Sequence, residues 1–314
     1  MQRRTITLIA ALAAGLLALS ACGSSGGGSG NSSGPSKGSL TIGSANFAES
    51  ELIARMYGDA LQAKGYDITI KPQIGSREVY IKALENKEID VVPEYVGTVT
   101  EYYNTLINGP DASTTKPLAS SDPAATDAAL NGLVKSRGLI ATPTSPAADQ
   151  NAFAVTDDFA TKNNLSTLSD LTKLNGTLIL GGPPECPDRP YCEPGLEQTY
   201  GLQFKSFQPT DAGGPVTITA LTSGQINIGL VFSSDGSVAA NDLKVLTDDK
   251  HLQQADNIVG LMRNTVPADA QAVIEKVNAA LTTEDLQTLN KQMSVDKDDP
   301  ATLASKWVKD HDLS

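Results

Sequence analysis

The chain of 314 residues is poor in histidine, in aromatic residues and in long apolar runs. Its two histidines, His251 and His311, argue against histidine-based catalysis and histidine-rich metal sites. No run of 18 or more apolar residues occurs, so we expect no membrane-spanning helix. Acidic residues outnumber basic ones by 36 to 24, and the resulting charge of −12 would repel a phosphate backbone. We therefore expect no nucleic-acid partner.

The sequence also lacks the motifs of several common catalytic sites. It contains no GxxxxGK[ST] phosphate loop, no GxSxG nucleophile elbow and no HExxH zinc motif. Its acidic residues are scattered, with no pair spaced as a general acid and base. We predict a protein that is not an enzyme and that needs neither a cofactor nor a metal ion.

The N-terminus has the features of an export signal. Arg3 and Arg4 precede an apolar stretch at 6–19, which as a helix would be about 21 Å long, against roughly 30 Å for a hydrocarbon core. The small residues ahead of Cys22 resemble a bacterial lipobox. The resemblance implies removal of a signal peptide at 1–21 and lipidation of the Cys22 thiol. The alternative is a plain secreted protein whose cysteine happens to lie near the cleavage site.

A segment rich in glycine and serine follows at 22–39 and contains no core-forming residues. Such a composition is typical of a flexible tether between an anchor and a folded domain. We therefore expect an extracytoplasmic protein held at the cell membrane only by its lipid.

Two further cysteines, Cys186 and Cys192, are separated by five residues. In an oxidising compartment this spacing favours a disulfide that closes a small loop. The alternative is a metal site, but two cysteines without a nearby histidine make a poor zinc site.

From residue 39 onward, segments with strand-like and helix-like patterns alternate, which predicts an α/β fold with parallel strands and helices on the sheet faces. The pattern suggests two lobes joined by crossing segments: 40–148 for the first lobe, 149–240 for the second, and 241–314 for a return to the first. The clearest early elements are strands at 40–42, 68–70 and 89–92, the last ending at Pro93, and helices at 49–64 and 75–84.

Aromatic residues are only 5% of the chain, and four of them fall at or near predicted strand ends. They are Phe47, Tyr95, Phe153 and Phe232. Each alone would more commonly be a core residue. Because ligands in such sheets bind beyond the strand ends and between domains, the four together favour a shared cavity.

Several segments resemble the osmoprotectant-binding proteins of bacterial ABC importers, the receptors for glycine betaine, choline and carnitine. The Pro-Glu-Tyr-x-Gly-Thr segment at 93–98 is the most specific, and the resemblance spans about residues 40–310. The other segments, in the family's order, are SANFAES at 44–50, NAFAV at 151–155, PGLEQTYGL at 194–202, ALTSGQIN at 220–227 and FSSDG at 232–236.

This resemblance implies a two-lobed periplasmic-binding-protein fold of the Venus-flytrap type, with a mixed, mainly parallel sheet in each lobe. It implies a monomer that binds a small quaternary-ammonium solute by closing its lobes, and that delivers the solute to a membrane permease and its ATPase.

The resemblance also implies which residues bind the ligand. Tyr95, Phe153 and Phe232 would form the walls of an aromatic cage for a trimethylammonium group, which is held by cation–π contact. Thr98 and Arg189 would bind a ligand carboxylate; the alternatives are that Thr98 caps a helix and that Arg189 is a solvated charge. The remaining expected contacts are Asn46, Phe47 and Asn151, while Tyr80 and Tyr191 are open between lining the pocket and packing elsewhere.

The sequence departs from the family pattern at three positions. Phe153 and Phe232 stand where the family has tyrosine, and Asn227 stands where it has aspartate. Phenylalanine keeps the aromatic face but loses a hydroxyl. The departures leave open a receptor of the same fold for another ligand, such as an aromatic, polyphenolic or betaine-thione compound, or a surface protein without a transport role.

Overall fold

A computed structural model describes residues 36–314. The predicted signal peptide, Cys22 and the first part of the tether lie outside the described residues. The last tether residues belong to the folded part, because Ser39 opens the first strand and the Lys37 amide donates a hydrogen bond to the Gly65 carbonyl at 2.9 Å.

The chain alternates between strands and helices throughout. The first part comprises β1 Ser39–Gly43, α1 Ala48–Ala63, β2 Asp67–Lys71, α2 Arg77–Glu85, β3 Val91–Tyr95, α3 Val96–Asn108, α4 Ala112–Thr115, α5 Pro123–Val134 and β4 Leu139–Ala141. The middle part comprises β5 Asn151–Thr156, α6 Asp157–Asn163, β6 Ile179–Gly182, α7 Glu193–Tyr200, β7 Ser206–Pro209, α8 Pro215–Thr222, β8 Ile228–Phe232, α9 Ser237–Ala240 and β9 Leu243–Leu246. The last part comprises β10 Ile258–Arg263, α10 Ala268–Ala280, α11 Thr283–Lys291 and α12 Pro300–Asp310.

Helix α1 shows how the sequence pattern produces these elements. Its predicted apolar face, which includes Leu52, Ile53 and Met56, is fully buried. The helix ends where predicted, before Gly65, whose φ of +93° lies in the region that favours glycine. The 3.6-residue period therefore located both the helix and its buried side.

The strands form two five-stranded sheets, one in each lobe. The orders are β2-β1-β3-β10-β4 and β7-β6-β8-β5-β9. In each sheet four strands run in one direction and one runs in the other, β10 in the first and β5 in the second. The expected α/β fold with a mixed, mainly parallel sheet in each lobe is confirmed.

Helices cover both faces of the first sheet. Ile42 and Met262 belong to a core shared with α1, α10 and α12. Val92 and Leu261 belong to a second core shared with α2, α3 and α5. Burial on both faces explains why these strands read as short apolar runs rather than as alternating ones.

The return to the first lobe occurs later than the predicted boundary at 241. Strand β9 belongs to the second sheet, where Leu246 pairs with Phe153 of β5. The chain therefore crosses back between Leu246 and Ile258. The short strand at 243–246 gave no local sign of which sheet it would join, because that depends on a neighbour about ninety residues earlier.

Strand β3 also runs further than predicted, through Pro93 to Tyr95. The strand on one side, β1, pairs with β3 only at Val91. Beyond that point one side of β3 has no hydrogen-bonded strand, a setting in which proline is tolerated. The three added residues place Tyr95 at the end of the strand.

Two crossing segments, at 142–150 and 247–257, connect the lobes and lie side by side. Ala148 and Asn257 form an antiparallel bridge, and the Asp149 amide donates to the Asp256 carbonyl at 3.1 Å. The predicted disulfide between Cys186 and Cys192 is confirmed and closes a loop in the second lobe. None of the helices between residues 36 and 314 is both long and apolar enough to cross a membrane.

Candidate ligand-binding site

A cavity of about 290 Å³ lies between the lobes. The first lobe lines it with the segment just before α1, with α2 and with α3, and the second lobe lines it with the disulfide loop and the end of β8. The crossing segments contribute Asp149 and Asp256. A second cavity of about 450 Å³ shares Asn46, Phe47, Asp149 and Phe232 with the first.

Six aromatic side chains line the first cavity, and three of them form a connected group. Phe47 stacks on Phe232 across the lobes with ring centroids 5.5 Å apart, and lies 6.0 Å from the Tyr95 ring. Tyr95 and Phe232 are the last residues of β3 and β8. Each therefore lies at the end of a strand of its own sheet that faces the cleft, as the sequence predicted. The other three are Tyr80, Tyr102 and Tyr191.

Phe153 does not reach this cavity. It is 1% exposed and lies in the core of the second lobe. Asn151 lines the cavity, and alternate residues of a strand point to the same face. The core covers that face from Phe153 onward, so only the first residue of β5 reaches the cleft. The expectation that Phe153 forms a cage wall is corrected by this placement.

Thr98 lines the cavity in the first turn of α3. Its hydroxyl accepts a hydrogen bond from Arg77 Nη2 at 2.9 Å. The helix is capped by another residue: Asp256 Oδ1 accepts from the amides of Gly97 at 2.8 Å and Thr98 at 3.0 Å. Thr98 is thus a link between the cavity wall and Arg77, not the helix cap.

Arg77 is itself paired with a buried carboxylate. Its Nε and Nη2 atoms donate to Glu94 Oε1 at 2.9 Å and Oε2 at 2.8 Å, in a two-point geometry. The Tyr80 hydroxyl donates to Glu94 at 2.8 Å. Because Glu94 is fully buried, Arg77 and Tyr80 supply the hydrogen bonds that water would otherwise give to its side chain.

Arg189 projects from the disulfide loop across the cleft. Its Nη2 atom lies 2.8 Å from Glu78 Oε1 on α2, so an ion pair joins the two lobes at the cavity. Burial alone would raise the pKa of Glu78, but the Arg189 guanidinium brings that pKa below its usual value. The alternative of a purely solvated charge is not what the structure shows.

A buried carboxylate, Glu49, connects the lobes at the base of the aromatic group. It accepts hydrogen bonds from the Tyr95 hydroxyl at 2.6 Å and from the Ser234 hydroxyl at 2.6 Å. Asn290 Nδ2 also donates to it. Burial raises the pKa of Glu49 despite these donors. Residues from α1, β3, α11 and the loop after β8 therefore meet at one carboxyl group.

Two more carboxylates, Asp149 and Asp256, line the cavity from the crossing segments. Burial raises the pKa of Asp256 to about 7. Burial, and next the charge of Glu49, raise the pKa of Asp149 well above its usual value. The cavity thus combines aromatic faces with buried acidic side chains.

The structure brings together most of the predicted site residues, namely Asn46, Phe47, Tyr95, Thr98, Asn151, Arg189 and Phe232. Tyr80 and Tyr191 also line the cavity, and each packs in a hydrophobic core as well. Sequence reasoning missed Arg77, Asp149 and Asp256. Of these, only Arg77 could have been singled out from the sequence, as a lone cation at the start of a predicted helix. The two aspartates lie in segments without a regular pattern.

The comparisons with known proteins agree with this architecture. The family described as OpuAC, substrate binding domain of ABC-type glycine betaine transport system, matches residues 38–310. The glycine betaine-binding protein YehZ of Escherichia coli is 27% identical over 290 residues, covering 86% of this chain and 90% of that protein. The carnitine transport binding protein OpuCC of Listeria monocytogenes is 26% identical over 321 positions, covering 98% and 97%.

Solved structures show the same fold. The crystal structure of a glycine betaine/carnitine/choline ABC transporter protein is 25% identical, with a TM-score of 0.64 over 87% of this chain and 99% of that one. Lactococcal OpuAC, solved in a closed form with glycine betaine, has a TM-score of 0.60 at 17% identity and supports the fold alone. Proteins of this family bind substrates and are not enzymes. Since the family match spans nearly all described residues, the chain belongs to the substrate-binding domains of ABC-type glycine betaine transport systems.

Proposed function

We propose that this protein is the extracytoplasmic receptor of an ABC importer and that it binds a small quaternary-ammonium solute between its lobes. The observation that carries the proposal is the group formed by Phe47, Tyr95 and Phe232 at a cavity with acidic walls. A trimethylammonium group has no N–H to donate, so aromatic faces and nearby negative charge are what can hold it. A cavity of about 290 Å³ suits a small solute.

The family and the cleft both support a transport role. The relatives named above include binding proteins for glycine betaine and for carnitine. Ligand contacts from both lobes would favour a closed arrangement, as hinge-type receptors require. The protein would then hand its solute to a permease driven by a separate ATPase, working as a monomer attached to the membrane through Cys22.

The experiment that tests this is calorimetric titration and thermal melting with glycine betaine, choline, carnitine, proline betaine and ergothioneine. We expect saturable one-to-one binding of at least one quaternary ammonium compound. At 100 times its dissociation constant such a ligand stabilises the protein by about 2.7 kcal/mol. Phe232→Leu, which keeps an apolar side chain but removes the aromatic face, should weaken binding about tenfold or more.

Phe207→Leu is the matched control, because Phe207 lies in β7 of the same lobe and lines neither cavity. It should leave ligand affinity unchanged. A folded protein that binds none of the five compounds would contradict the proposal and would favour a receptor for a different small ligand.

A further inference from the structure

One buried carboxylate, Glu49, is tied to all three members of the aromatic group. This group, Phe47, Tyr95 and Phe232, joins the first lobe to the second. The Tyr95 hydroxyl donates to Glu49 Oε1 at 2.6 Å, and Phe47 lies two residues before Glu49. Phe232 lies two residues before Ser234, whose hydroxyl donates to Glu49 Oε2 at 2.6 Å. Each ring is therefore linked to the same carboxylate, either directly or through a short stretch of backbone.

The link to the second lobe is held on both sides of Ser234, which is 1% exposed. The Ser234 amide donates to Asp149 Oδ1 at 2.9 Å. Asn290 Nδ2 donates to the Ser234 hydroxyl at 3.0 Å and to its carbonyl at 3.2 Å. Asn290 belongs to α11 of the first lobe and donates to Glu49 as well. The end of β8 is therefore fixed against the first lobe through Glu49 and Asn290.

Glu49 acts on the first cavity from behind the aromatic group. It is 5% exposed and lines the second cavity, whereas the wall of the first cavity is formed by the rings themselves. A ligand in the first cavity would thus touch the rings and not this carboxylate. A binding site keeps its geometry when the side chains that touch the ligand are locked by packing and by hydrogen bonds to the residues behind them.

We propose that Glu49 is a positioning residue that sets the spacing of the aromatic group across the two lobes, and thereby the size of the cationic head that the first cavity accepts. The inference rests on the proposed function, in which these rings hold a quaternary ammonium group. While the Tyr95 ring and the end of β8 are both bonded to Glu49, the rings resist moving apart for a larger head. Once those bonds are removed, the rings yield more easily, and the cavity discriminates less between heads of different size.

Tetramethylammonium and tetraethylammonium are the probes, because neither carries a polar group and they differ only in the size of the head. Calorimetric titration of the purified protein measures the ratio of their affinities. Each extra methylene group has to fit between rings of fixed spacing, so we expect the wild type to bind tetramethylammonium at least about tenfold more tightly.

Three variants remove the bonds to Glu49 separately. Tyr95→Phe keeps the aromatic face and loses the hydroxyl, and Ser234→Ala loses the bond from the second lobe. Glu49→Gln keeps the shape of the side chain but replaces one acceptor oxygen with an amide group. Each variant should lower the affinity ratio by a factor of about three or more. Thermal melting without ligand shows which variants are folded.

Two control variants remove comparable groups away from the aromatic group. Tyr57→Phe deletes a buried hydroxyl that donates to Asn278 Oδ1 at 2.5 Å in the core of the first lobe. Glu51→Gln changes a carboxylate of α1 that is paired with Arg55. Neither Tyr57 nor Glu51 lines either cavity. Both controls should keep the wild-type affinity ratio, even if they lower the stability of the fold.

An unchanged affinity ratio in the folded Tyr95→Phe and Ser234→Ala proteins would overturn the inference. An equal change in the two controls, or a wild type that binds both cations equally, would overturn it as well. If compounds of the ligand panel bind and Phe232→Leu weakens that binding while the ratio stays unchanged in all three variants, the proposed function stands and this inference fails. If neither cation binds the folded wild type, this inference fails, and the panel of five compounds decides the proposed function.

Discussion

Gly97 allows α3 to start against the second crossing segment, and a methyl group there should disturb both. A Cβ atom at Gly97 would lie 2.6 Å from the Ala255 carbonyl oxygen and 3.3 Å from Asp256 Oδ1. The first distance is well inside van der Waals contact with backbone that cannot rotate away. Gly97→Ala therefore requires the crossing segment to move away from the helix and weakens the cap that Asp256 provides.

The expected size follows from two opposing effects. Overpacking of a well-packed site costs about 1–3 kcal/mol. Alanine in a helix is favoured over glycine by roughly 1 kcal/mol, with less at the first turn. Since the clash involves backbone, we expect Gly97→Ala to lower the free energy of unfolding by about 1–2 kcal/mol. Loss of the cap geometry should also weaken ligand binding.

Gly132→Ala is the matched control for this prediction. Gly132 lies in α5, and a Cβ atom there would meet no heavy atom within 4 Å. Only the helix preference remains, so this variant should raise the free energy of unfolding by up to about 1 kcal/mol. Urea denaturation of both variants gives the two signs directly. If Gly97→Ala is as stable as the wild type, or if both variants change in the same direction, the steric reasoning is refuted.

Three further predictions concern the ion pair, the disulfide and the buried aspartate. Arg77→Met leaves Glu94 buried without its partner and should lower the free energy of unfolding, measured by urea denaturation, by about 3–5 kcal/mol. The control Lys306→Met removes an exposed pair with Asp310 and should lower it by less than about 0.5 kcal/mol. Equal losses in the two variants would contradict the importance of burial. Replacing Cys186 and Cys192 by alanine opens a loop with a sequence separation of 6. Chain entropy predicts that the free energy of unfolding falls by about 2 kcal/mol. An unchanged unfolding midpoint in the double variant would show that the disulfide does not stabilise the protein by constraining this loop. The pKa of Asp256 is raised to about 7, so the folded state holds a proton that the unfolded chain releases near pH 4, and stability should fall as pH rises from about 4 to 7. Asp256→Asn should reduce this fall, measured as melting temperature against pH, whereas Asp158→Asn, at an exposed carboxylate, should leave it unchanged. A wild-type melting temperature that rises over this range would show that the predicted sign is wrong.

Local pattern and residue chemistry were enough to predict much of the protein. The apolar period of α1 located that helix and its buried face, and the spacing of Cys186 and Cys192 predicted their disulfide. The placement of Tyr95 and Phe232 at strand ends indicated a shared cavity, because ligands of such α/β sheets bind beyond the carboxyl ends of the strands and between domains. These features depend on neighbours within a few residues, or on a rule that all parallel sheets obey.

Only the tertiary structure decided which side chains meet at the cleft. Asn151 and Phe153 lie on the same face of β5. Asn151 lines the cavity, whereas Phe153 is buried because the second-lobe core begins between them. The assignment of β9 to the second sheet likewise depends on its pairing with β5. Asp149 and Asp256 lie 107 positions apart in irregular segments. They face one cavity because the two crossings pack side by side, a contact that no local pattern encodes.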